Sequence, residues 1–170
     1  HEVLEKYGTD KPDLRFGMEL IDVSDIFAKS DFRVFQSAIE AGGVIKCIVA
    51  PGCAEYSRKE VDALTESAKG FGAKGLATLE VTGEGLKGTA AKFVKPEEAE
   101  AVKSKVGAKE GDLILFAADQ RAVVNKVLGG LRLIFRDKLE LADQDMMAFI
   151  WVVDFPMFAW NEEEKKWDAE

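Results

Sequence analysis

The sequence predicts an α+β fold of two layers, a mainly antiparallel sheet with helices on one face. Three observations carry that expectation. Strand-like runs recur at 43–52 (GVIKCIVAPG), 75–83 (GLATLEVTG) and 112–119 (DLILFAAD). Between them, apolar residues recur every three or four positions, which is helical spacing. The elements follow one another roughly as β-β-α-β-β-α-β-α, and helices of this kind cover one face of an antiparallel sheet.

Taken in order, residues 1–20 hold a short helical start and then a turn. Pro12 pushes Lys11 towards an extended conformation. Asp10 and Asp13 flank that turn, where carboxylates bond nearby backbone N–H groups. Residues 32–41 (FRVFQSAIEA) alternate loosely and suggest a strand, paired as a hairpin with 43–52 across Gly42-Gly43. The next element is the best marked. Ser57-Arg58-Lys59-Glu60 is a capping box. Val61, Leu64, Ala68 and Phe71 then give one apolar face, and Gly72 is a natural stop.

The run 75–83 alternates as a strand does. GEGLKG (83–88) follows as a connection, then TAAKFV (89–94) as a further β-like piece. Lys95-Pro96 opens a helix, since proline suits the first helical turn, and Gly107 stops it. DLILFAAD has the continuous apolar character of a buried strand. A long helix follows with Asp119 as its cap. Val123, Val124, Val127, Leu128, Leu131 and Ile134 form its inner face. Gly129-Gly130 inside it cost roughly 1 kcal/mol each relative to alanine, which close packing against a sheet explains. FIWVVDFPMFAW (149–160) reads as a last strand with Trp151 in the core and Asp154 in a structural role. NEEEKKWDAE then gives a solvated turn or hairpin.

The 170 residues suit one domain, and 47% hydrophobic with 32% charged residues is globular composition. The net charge of −8 argues against a broad basic face for nucleic acid. Two cysteines, Cys47 and Cys53, make no disulfide framework and read as inert thiols in a reduced, cytoplasmic protein. The sequence shows no apolar run of membrane-spanning length and no export leader. The single histidine, His1, reads as an exposed terminal residue. It leaves no Ser-His-Asp triad and no Cys/His zinc site.

GEGLKG matches G-x-G-x-x-G letter for letter, but its context is wrong for a dinucleotide. No helix begins within the glycines; the next one starts at Pro96. No acidic residue stands at the end of a second strand about 20 positions on. The stretch therefore reads as a β–β connection, with Lys87 and Lys92 available for a modest anion contact. Asp10, Lys11, Asp13 and Arg15 form an ionic cluster, either beside a cleft or as a solvated turn with local pairs. Trp151, Trp160 and Trp167 have the residue type of a base-stacking platform.

Several stretches resemble one family. KYGTDKPDLRFGMEL (6–20) closely resembles the R-Y-G-[ST]-D-K-P-D-L-R stretch of bacterial aspartyl-tRNA synthetases. WVVDFPMF (151–158) resembles their W-V-[IVT]-D-F-P-[ML]-F strand. Between these, SRKEVDAL, FGAKGLA, GLKGTAAKF, GDLILFAAD and LGGLRL resemble the large insertion of those enzymes, the GAD domain. The resemblance implies catalytic-domain flanks at 1–20 and 149–170 and a GAD insertion at 21–148. It implies a class II parent, a homodimer, that activates aspartate with ATP and magnesium and then charges tRNA. The family's ATP-binding arginine segments and its histidine segment have no counterpart in these residues, so no catalytic, cofactor-binding or metal residue is carried over.

The implied role is an accessory domain near the tRNA acceptor end, monomeric and inert alone. Its tRNA contacts would be weak or indirect, through Lys87, Lys92 and Lys95. The alternatives are a structural or protein-interaction spacer without tRNA contact and an independent nucleotide-dependent enzyme. An insertion must leave and rejoin its host at neighbouring places. Residues 8–20 and 149–158 are therefore expected near each other.

Overall fold

A computed structural model describes residues 2–154, 156–161 and 163–169. His1, Phe155, Glu162 and Glu170, and what was expected of them, lie outside the described residues. The elements are α1 (Glu2–Tyr7), β1 (Ile21–Asp22), α2 (Arg33–Glu40), β2 (Val44–Ala50), α3 (Arg58–Gly70), β3 (Ala77–Thr82), β4 (Gly85–Lys87), α4 (Pro96–Val106), β5 (Leu113–Asp119), α5 (Arg121–Lys138), β6 (Phe158–Asn161) and β7 (Lys166–Ala169). Five strands form one sheet in the order β1-β2-β5-β3-β4, with every neighbouring pair antiparallel.

The α+β class and the mainly antiparallel sheet are as expected. One detail is corrected: helices flank both faces. Val44, Ile48 and Ala50 of β2 pack with Leu113, Leu115 and Ala117 of β5 against α3 and α5. Ile45, Cys47, Ile114 and Phe116 point the other way, against Phe35 of α2 and Val102 of α4. Strands buried on both faces lose their polar alternation, which is why VIKCIVA and LILFAAD are nearly unbroken apolar runs. Cys47 and Cys53 fall into the two different clusters, and both thiols are free and buried. Burial pushes both thiols up from their ordinary values.

The largest departure is α2. The stretch expected as a hairpin strand is a helix, with Phe35 and Ala38 buried on one face. Its first turn carries no side-chain cap, so the usual start signal is missing. The second departure is the GEGLKG stretch. Its middle is itself strand β4, paired with β3 through Thr82↔Gly85 and Glu80↔Lys87, and 89–94 is irregular. Two of its glycines have structural reasons. Gly85 sits at φ 126°, and a Cβ on Gly88 would lie 2.5 Å from the Thr78 carbonyl oxygen.

Helix α3 begins as read. The Glu60 carboxylate accepts from the Ser57 N–H at 2.9 Å, and the Ser57 hydroxyl accepts from the Glu60 N–H at 3.4 Å. Ser57→Ala is expected to cost about 1 kcal/mol in a urea titration; no change in midpoint would show the box to be idle. Helix α4 starts at Pro96 and ends on left-handed Gly107, also as read. Helix α5 is capped at Gln120, not Asp119. The Asp119 carboxylate is occupied instead by the Gln120 N–H and by Lys74 at 3.0 Å. Gly129 and Gly130 do not face the sheet. A Cβ on Gly129 would meet the Tyr7 carbonyl oxygen at 3.0 Å, and one on Gly130 would meet the Phe71 ring at 2.5 Å. Those contacts let α1 and the end of α3 pack close to α5.

The last segment is also corrected. Only Phe158–Asn161 is strand, in a hairpin with β7. Trp160 meets Trp167 edge-on at 5.5 Å. Trp151, expected in the core, is 92% exposed, because no described element covers it. Asp154 is exposed with a left-handed backbone.

Candidate functional site

Two charged centres bind the first twenty residues to the domain. At the first, α5 delivers Arg132, a side chain only 1% exposed. Its Nε donates to the Met18 carbonyl at 3.2 Å. Its Nη2 lies within reach of the Asp13, Phe16 and Gly17 carbonyls at 2.7, 3.1 and 3.1 Å. The guanidinium also sits 3.9 Å from the Phe16 ring centre and 5.0 Å from that of Tyr7. The segment 13–18 is thus wrapped around one buried cation.

One helical turn on, Arg136 reaches the Asp13 carboxylate at 3.3 Å. Asp13 also receives a forked pair of hydrogen bonds from Arg15, both at 2.9 Å. These Arg15 bonds hold its carboxyl well below the usual carboxylate range, against the opposing effect of burial. The predicted cluster is therefore split. Asp13 and Arg15 join Arg136, whereas Asp10 and Lys11 form a separate exposed pair at 2.6 Å. Residues 12–15 line a shallow cleft of about 350 Å³ with 146–149. Arg15 Nη1 lies 3.5 Å from the Asp143 carbonyl oxygen.

The second centre is Lys46 on β2, buried to 2%. Its ammonium donates to the Glu5 carbonyl at 2.9 Å, the Glu5 carboxylate at 2.6 Å and Asn125 Oδ1 at 2.9 Å. All three protons are used. Arg121 shares the same Glu5 oxygen. Sequence reading missed this network; the signal was a lone lysine inside an otherwise apolar buried strand.

The three candidate lysines lie elsewhere. Lys87, on β4, is paired with Glu84 at 3.2 Å, and Lys95 with Asp31 at 2.9 Å. Lys92 is exposed and has no ion pair among the described residues. Between Lys92 and Lys95 stands Phe93, 49% exposed, stacked on Phe32 with ring centres 4.8 Å apart and planes at 5°. Phe32 also borders a groove of about 570 Å³ between α2, the start of β3 and the end of β5. Phe93 was overlooked in the sequence, although an aromatic set between lysines is a readable sign. Among the described residues no cluster of His, Cys, Asp and Glu has the makings of a metal site. No helix among them is long and apolar enough to cross a membrane.

Comparison with known proteins gives a consistent result. The family model described as GAD domain matches residues 35–128. The chain is similar to the aspartate–tRNA(Asp/Asn) ligase of Rubrobacter xylanophilus, 51% identical over 163 residues, 96% of this chain and 27% of the relative. It is similar to that of Geotalea uraniireducens, 48% identical over 168 residues, 99% of this chain and 28% of the relative. The aspartate–tRNA ligase of Clostridium acetobutylicum is 49% identical over 168 residues, 98% of this chain and 28% of the relative. The chain thus spans little more than a quarter of the length of these curated relatives.

Proposed function

We propose, from the premise that this chain belongs to the GAD domain family, that it is an accessory insertion of an aspartate–tRNA ligase. It lies near the acceptor end of bound tRNA and has no catalysis of its own. Aspartate activation by ATP, with magnesium, and transfer to tRNA belong to the longer protein. Its partners are the rest of that protein, acting in the cytoplasm as a homodimer, and the tRNA. The observation that carries this is the cleft in which residues 12–15 meet 146–149. A domain set into a host must leave and return at neighbouring points. The near-complete coverage of this chain by ligase relatives supports the same host.

The test is binding of the 170-residue chain to aspartate tRNA and to an unrelated tRNA, at low and physiological salt. Saturable binding that favours the aspartate tRNA and weakens with salt is expected. A second reading, a spacer that shapes the ligase without touching tRNA, is favoured by one observation. Lys87 and Lys95 already share their charge with Glu84 and Asp31. No binding even at low salt would favour the spacer and confine any tRNA contact to the longer protein, with the catalytic domain holding the acceptor end in place.

A further inference from the structure

We propose that the groove beside α2, with the Phe93 ring at its side, binds the unpaired end of a nucleic acid strand, one base stacking on Phe93. This rests on the ligase reading for its natural ligand, the single-stranded end of tRNA, but the geometry is independent of it. A lone exposed apolar side chain is ordinary on a protein surface, but Phe93 shares its face with Phe32 and with the 56%-exposed Val34 of the groove wall. The Phe93 ring is held in place. Phe93 stacks on Phe32, Phe32 packs on Phe35 at 4.6 Å, and Phe35 packs on Phe27 and Phe116 in the core. The outer ring is therefore fixed before any ligand arrives, so little ordering cost remains for a base that extends the stack.

The surroundings suit a phosphate chain. Arg33 and Lys92 flank the two rings and are exposed, with no ion pair among the described residues. Lys95 adds a cation shared with Asp31. Carboxylates share the neighbourhood, but Asp31 is taken by Lys95 and Asp119 of the groove wall by Lys74. The groove of about 570 Å³ is floored by Leu76, Ala77 and Phe116 and begins at the edge of Phe32. It gives a second base an apolar seat. The interior of a duplex keeps its bases in the stack and offers no face to Phe93; unpaired ends do.

The experiment is fluorescence anisotropy of the 170-residue chain with labelled single-stranded r(GCCA) and with a long blunt RNA duplex, circular dichroism verifying that each variant is folded. Phe93→Ala is expected to weaken single-strand binding at least about fivefold, the lower end for loss of one stacked base, and Phe93→Tyr to restore it. Lys92→Ala is expected to weaken all single strands alike and flatten the salt dependence by about 0.7 in log–log slope. Lys59→Ala, at the far end of α3 from Lys74, serves as the control without effect. Equal binding by Phe93→Ala, or duplex binding as tight as single-strand binding, overturns the proposal. A second arm places Phe93→Ala in the longer protein, where a raised KM for tRNA with unchanged aspartate activation is expected. If that protein charges tRNA and the variant alters neither KM nor oligonucleotide binding, the groove proposal falls and the ligase reading stands. If the longer protein does not charge tRNA with aspartate, the ligase reading falls, and the oligonucleotide arm still decides the groove.

Discussion

Arg132→Met is expected to lower the unfolding free energy by about 3–5 kcal/mol, since hydrogen bonds to a charged group contribute about 1.5–3 kcal/mol each and at least two are lost. The methionine fills much of the volume but donates nothing. Four carbonyls, those of Asp13, Phe16, Gly17 and Met18, then lose their donor together, and hydrogen bonds to charged groups are the costlier ones to lose. The stacking on Phe16 goes as well. Arg132→Lys is expected to recover less than half of the loss, because a compact ammonium lacks the planar guanidinium that spans the Met18 and Asp13 carbonyls and stacks on Phe16. Urea unfolding reads the stability, and hydrogen exchange reads where it is lost. The 13–20 backbone should exchange faster before the β2 and β5 amides do. An unchanged midpoint with unchanged protection at 13–20 would mean that the segment is held by its own turn and not by Arg132.

Much of this was legible locally, and the failures have local causes. The α3 start was readable because Ser57 and Glu60 announce a cap within four residues. The α4 limits were readable because Pro96 and Gly107 each have a narrow backbone range. Helix α2 was not, because Phe32 caps nothing and FRVFQSAIEA fits a loose period of two as well as it fits 3.6. Only the packing of Phe35 and Ala38 under the sheet decides between them. The β4 strand is three residues among glycines and exists because β3 supplies its ladder. The same split holds for the charged centres. Asp13 and Arg15 are close in sequence and were placed in one ionic cluster with Asp10 and Lys11, which the structure splits. Arg132 and Arg136 come from more than a hundred residues away, and the LGGLRL stretch gives no local sign of what its arginine holds. The exposure of Trp151 and Phe149 runs the other way: an apolar strand-like sequence without a described partner strand stays uncovered.

The Lys46 centre should behave asymmetrically, and its pH dependence should reveal why. Lys46→Met leaves the Glu5 carboxylate with Arg121 and with water, since that side chain is 35% exposed. About 2–3 kcal/mol is expected, below the fully buried range because solvent screens the survivor. Glu5→Gln is expected to cost at least as much, because it strands an ammonium that is 98% buried with no counter-ion. The double variant should then cost less than the sum of the two, the sign of a coupled pair.

Burial pushes the Glu5 carboxyl up, but hydrogen bonds from Lys46, Asn125 and Arg121 outweigh it and leave the group below its ordinary value. The folded-state value therefore lies under the unfolded one. The stabilisation is fully present above about pH 4.3, where the unfolded chain has lost its proton, and drains away as the pH falls towards the folded value. The stability gap between the natural chain and Glu5→Gln should thus be constant from pH 5.5 to 7.5 and shrink below about pH 4.3. No gap at pH 7 would mean that Glu5 holds α1 through its backbone carbonyl, which glutamine keeps, and not through its charge. Lys46 would then be anchored by Asn125 and that carbonyl alone.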